Sequence, residues 1–71
     1  MDAAAHQIII SQLDELAEQV AATIVQFERT GMTSLMKDDY VALHELEHRI
    51  LSMRREHVMA VSDLAQETVQ H

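Results

Sequence analysis

Residues 26–40 read QFERTGMTSLMKDDY, and this stretch decides the fold. Gly31 is the only glycine in a 71-residue chain that has no proline. The long segments on either side of it therefore contain no helix breaker. A lone glycine between such segments suits the left-handed position that follows a helix C-terminus. Thr33 and Ser34 are N-cap residue types, and Asp38 and Asp39 place negative charge in the first turns beyond them. The pattern predicts a helix over about residues 2–30, a turn over 31–34 and a second helix over about 35–70.

Upstream of the turn, Ile9, Leu13, Leu16, Val20, Thr23 and Phe27 recur at steps of four and three, which puts them on one helical face. His6 lies one heptad before Leu13. Ile10, Ala17, Ala21, Ile24 and Val25 widen this face beyond a single seam. Downstream, Met36, Leu43, Ile50, His57 and Leu64 are spaced by sevens, with Leu46, Met53 and Ala60 as companions and Tyr40 and Val61 alongside. The predicted core is Leu13, Leu16, Val20, Phe27, Leu43, Leu46, Ile50 and Met53. Folding the chain back at Gly31 sets Phe27 against Met36, Val20 against Leu43, Leu13 against Ile50 and His6 against His57. One antiparallel register satisfies all four pairs. The expected architecture is an all-α helical hairpin in one domain spanning residues 1–71.

Composition supports helix–helix seams. Hydrophobic residues make up 48% of the chain but aromatic residues only 3%. The core must then come from Leu, Ile, Val, Ala and Met, whereas sheets favour aromatic and β-branched runs. So short a chain has little interior, and without cysteine it has no disulfide to compensate, which leaves oligomerisation as the expected remedy. The second helix is also longer than the first, so Val61, Leu64 and Val69 overhang at its end. With the surplus apolar face at Ile10, Ile24 and Val25, these are the predicted interface residues. The expectation is a homodimer or larger oligomer, most simply a dimeric four-helix bundle.

The net charge of −7 disfavours nucleic acid and anionic membrane as partners. No apolar run approaches the ~20 residues of a membrane span. The opening MDAAAHQIII has no Lys or Arg before its short apolar run and makes a poor signal peptide, so the expected location is the cytoplasm. Arg49, Arg54 and Arg55 point in separate directions around a helix and form no basic face.

Two histidine pairs raise the question of chemistry. His44-Glu45-Leu46-Glu47-His48 matches the H-E-x-x-H pattern, in which histidines four apart on a helix share a zinc ion and the glutamate acts as base. A short hairpin lacks the third ligand and the substrate cleft, so His44 and His48 are weak metal candidates on a polar face. No cofactor and no catalytic residue is expected. His6 and His57 interrupt the apolar seam and meet at the open end of the predicted hairpin, a candidate pH-sensitive or metal-linked pair. On the back of the second helix, Val41, His44, His48, Leu51, Arg55 and Met59 form a weaker stripe that suits a second interface.

In outline this layout resembles two kinds of small hairpin protein: plasmid copy-number hairpins that dimerise into four-helix bundles and bind RNA loops, and small helical chaperones of bacterial secretion systems. The resemblance is one of layout alone, not of residue motifs. The expected function is non-enzymatic: self-association, and binding of a partner protein through apolar helical surface in a regulatory, adaptor or chaperone-like role. The alternative is a nucleic-acid-binding bundle, followed by a histidine-based metal-binding protein.

Overall fold

The structure is a computed structural model that describes the backbone of residues 2–69 and the side chains of residues 2–66. Three helices account for nearly all of the described chain: α1 (Ala3–Thr30), α2 (Met32–Leu35) and α3 (Lys37–Val69). There is no strand among the described residues.

Each end of α1 has a local cause. Asp2 is extended and its carboxylate accepts the Ala5 backbone N–H at 2.9 Å, so it is the N-cap. At the other end Gly31 takes φ 74° and ψ 12°, and its N–H donates to the Phe27 carbonyl. That left-handed conformation stops α1 and is disfavoured for any residue with a Cβ. A Cβ at Gly31 would meet nothing within 4 Å, so only the backbone conformation opposes substitution. Gly31→Ala is expected to cost about 1 kcal/mol. The check is a lower thermal midpoint with the helical circular dichroism of the native state unchanged.

The connection differs from the predicted turn. Met32 to Leu35 form one helical turn rather than an irregular link, and neither Thr33 nor Ser34 caps the long second helix. The Ser34 hydroxyl instead donates back to the Gly31 carbonyl at 3.4 Å. The break falls at Met36, at φ −127° and ψ 57°. Its carbonyl accepts from Tyr40 N–H at 3.0 Å and so opens α3. Asp38 and Asp39 lie in the first turn of α3, where their charge complements the helix dipole.

Beyond this corner α3 runs back along α1. Phe27 stacks on Tyr40 with ring centroids 6.4 Å apart near the turn, and His6 meets His57 at the far end. Between them Leu13, Val20, Ile24 and Ile50 form one buried cluster, with Ile9, Ala17, Tyr40 and Leu43 packed against it. Ile10 is buried as well. The positions spaced by sevens thus face each other, but their companions are not those expected. In α1 the seam is completed by Ile10, Ala17 and Ile24, not by Leu16 and Thr23. In α3 the partly buried companions are Tyr40, Glu47, Arg54 and Val61. Leu16, Leu46 and Met53, expected in the core, are 42%, 39% and 38% exposed. Ile10 and Ile24, expected at an intermolecular interface, are core residues of the single chain. Each helix is rotated toward its i+4 companions, and one physical cause is visible: polar groups on that side reach across the seam, as described below.

The core is small for the chain. The radius of gyration is 16.4 Å and the molecule measures 57 × 16 × 15 Å. A compact chain of this length has a radius of gyration of about 11 Å. The accessible surface is 5435 Å² for 8.1 kDa. A globular monomer of that mass exposes about 4,500 Å². The excess, roughly 900 Å², is close to the ~800 Å² that one partner buries in a standard protein interface.

Candidate functional site

The two flanks of the α1–α3 seam differ in chemistry. At 100° per residue, Asp14 and Glu28 fall on one side of the Leu13–Val20 line, and Ile9, Leu16 and Thr23 on the other. On α3, Tyr40, Arg54 and Val58 fall on the first side, and Leu46, Met53 and Ala60 on the second. Antiparallel pairing brings matching sides together.

The first flank is cross-linked by polar side chains. Arg54 Nε donates to Asp14 Oδ1, joining α3 to α1 near mid-length. Both side chains are about half exposed, so the ion pair adds at most ~1 kcal/mol to stability. Closer to the turn, the Tyr40 hydroxyl donates to Glu28 Oε2 at 2.9 Å. The hydrogen bond to Glu28, then partial burial, then the Glu28 charge, raise the Tyr40 pKa above the ordinary tyrosine value. The folded chain therefore holds the phenol proton longer than the unfolded chain. That contribution to stability is complete below the usual tyrosine pKa of about 10 and is lost as pH rises through the raised value. Tyr40 is the only tyrosine, so ultraviolet titration reports it alone. Its midpoint is expected above that of a model tyrosine, and Glu28→Gln should bring it down.

The second flank has no polar cross-link between α1 and α3 among the described residues. Ile9 and Ala60 are partly buried, while Leu16, Leu46 and Met53 are exposed. A shallow groove of about 320 Å³ runs along it between the helices, lined by Thr23, Phe27, Asp39, Ala42, Leu43 and Leu46. By helical position its rim carries Gln12 and Gln19 from α1, and Asp38, Arg49 and Glu56 from α3. With Asp39 in the lining, acidic groups outnumber the one arginine on this face. An apolar centre with a polar rim is the usual anatomy of a protein interface.

The remaining predicted interface residues are scattered. Val25 is exposed on the far side of α1, whereas Val61 and Leu64 are partly buried. Val69 lies beyond the side chains that the structure describes. Sequence periodicity did not single out Met32 and Leu35 at the tip of the molecule, both exposed, Leu35 by 82%, and it placed Met36 in the seam, whereas Met36 is 42% exposed at the corner.

His44 and His48 lie on the outer face of α3. The His44 ring meets Tyr40 edge-on at 4.8 Å, and its Nδ1 is 3.7 Å from Glu47 Oε1. A surface groove of about 600 Å³ passes over Tyr40, Val41, His44, Glu45, His48 and Arg49. Among the described residues no three His, Asp or Glu side chains converge on one metal position. The H-E-x-x-H stretch therefore lacks the third ligand of a catalytic zinc site in the described chain.

His6 and His57 are brought together across the seam. Their Nδ1 atoms are 2.8 Å apart, partly buried, with ring centroids at 5.0 Å and planes at 50°. One ring must donate and the other accept.

No described helix is long and apolar enough to cross a membrane. Set against known protein families, curated proteins and solved structures, the chain matches none of them.

Proposed function

We propose that this chain is a non-enzymatic assembly and binding module. Its two long helices act as an antiparallel hairpin, and two copies join through the apolar flank into a four-helix bundle. The observation that carries this reading is the Leu16–Leu46–Met53 flank, exposed and apolar at its centre and polar at its rim. Its companion is the surplus of exposed surface, which matches what one partner contributes to a standard dimer. A second copy is the occupant this surplus points to, because a two-fold pair covers the same flank on both chains at once.

The outer face of α3 stays free in such a bundle. Val41, Leu51 and Met59 are exposed there beside His44, His48 and Arg55. This stripe is suited to a partner protein's helix, and gives the module its regulatory, adaptor or chaperone-like role.

Sedimentation equilibrium at tens of micromolar tests the assembly. A dimer, with a melting point that rises with protein concentration, supports it. A monomer at all concentrations overturns it.

A further inference from the structure

We propose that His6 and His57 form a clip for a divalent transition-metal ion, of the zinc, nickel or copper type, that fastens the open end of the helix pair. The two Nδ1 atoms stand 2.8 Å apart and come from positions 51 residues apart in sequence. Two nitrogen lone pairs so close repel unless something positive lies between them. A proton on one ring meets this need in the metal-free chain. A metal ion meets it better, because imidazole nitrogen is a preferred ligand for these ions.

The geometry requires little movement. Zinc–nitrogen bonds of about 2.0–2.1 Å at a tetrahedral angle place the two nitrogens about 3.3 Å apart. The rings must separate by roughly half an ångström, which a change in side-chain torsions supplies. The ring that donates shifts its proton from Nδ1 to Nε2, so both Nδ1 lone pairs face the ion and no proton is released. Two protein ligands leave the other positions to water, so the ion is exchangeable rather than permanently built in.

The location gives the ion mechanical leverage. Ile10, Leu13 and Ile50 hold the middle of the pair. Toward the open end only Ala3, Ala4 and Ala5 precede His6 on α1, and they bury little area. A bond across this end ties down the segment with the fewest apolar contacts. The clip needs only the pairing of α1 with α3 and does not depend on self-association.

The test is thermal unfolding followed by circular dichroism, with zinc chloride or nickel chloride as the only addition. At metal a hundredfold above its dissociation constant, the midpoint of the wild-type chain is expected to rise by roughly 10–20 °C. The rise should vanish in His6→Gln and in His57→Gln, and persist in the His44→Gln/His48→Gln double variant. Calorimetry should give one ion per chain. A rise that survives both single substitutions, or that disappears in the double variant, overturns the proposal. So does the absence of any rise at millimolar metal. Should a single variant fail to fold, nuclear magnetic resonance of the wild-type chain decides. Substoichiometric nickel is expected to broaden the ring signals of His6 and His57 before those of the other three histidines, and the reverse order overturns the clip.

Discussion

Ile50→Ala is expected to destabilise the chain by about 2–5 kcal/mol. Among the described residues Ile50 is the one side chain with no exposed surface, and it packs into the cluster of Leu13, Val20 and Ile24. Truncation removes three methyl or methylene groups from the centre of a core that has few others. The surrounding helices cannot collapse onto the gap without losing the contacts of Leu43 and Ala17, which pack against the same cluster. Small domains have only about 3–5 kcal/mol of stability in total, so the loss should leave much of the chain unfolded at 37 °C. Leu46→Ala is the matched control: the same truncation chemistry, four residues away, on a side chain that is already 39% exposed. Its loss in urea denaturation, measured on chain too dilute to associate, should be clearly smaller. Equal losses for the two variants would mean that the seam runs through Leu43, Leu46 and Ile50 rather than through Leu43, Glu47 and Ile50.

The second large effect is expected on assembly. Replacing Leu16 and Leu46 together by glutamate should raise the dimer dissociation constant at least ~100-fold. Burying an unpaired polar or charged group costs about 1–3 kcal/mol per site in proteins, and every copy brings two. Glutamate is a good helix former and both sites are exposed in the single chain, so the helices themselves should persist. The matched control places the same charges on the opposite flank, as Leu51→Glu with Val58→Glu, both also exposed. Sedimentation equilibrium on the two double variants separates the surfaces. A monomeric Leu16/Leu46 variant beside a dimeric Leu51/Val58 variant is the expected result. The opposite pairing would move the interface to the other flank.

The register of the two helices was readable because one residue in seven is enough to fix it. His6 meets His57, and Leu13 and Val20 share one cluster with Ile50 and Leu43, whereas Phe27, expected against Met36, stacks on Tyr40 because the chain breaks at Met36. The rotation of the helices was not readable from hydrophobicity. In α1 both sets of companions are apolar: Ile9 and Leu16 on one side, Ile10, Ala17 and Ile24 on the other. In α3 the more apolar set, Leu46 and Met53, lost to Glu47 and Arg54. Long charged side chains can lay their methylene stems along a seam while their heads stay in water. Arg54 does so and finds Asp14, a partner 40 residues away in sequence. A pattern search that scores Glu and Arg as surface residues excludes such positions in advance. It also assumes that all strongly apolar residues belong inside the same chain. Leu16, Leu46 and Met53 are exceptions, and for that reason they became the candidate site. Gly31 was readable as a helix boundary because it acts through its own backbone.

The polar links on one flank have a consequence for how far assembly can go. A helix pair that was greasy on both sides would offer an adhesive edge after every addition, and copies would stack without end. Here Arg54–Asp14 and Tyr40–Glu28 bond one edge across the seam, beside exposed Leu51 and Val58, while the other edge carries no such bond among the described residues. A two-fold pair formed through the apolar edge consumes both adhesive surfaces at once and presents wet, bonded edges outward, which closes the assembly against fibre growth. In the dimer we propose, these modest surface contacts act against further growth, a role separate from the stability they add.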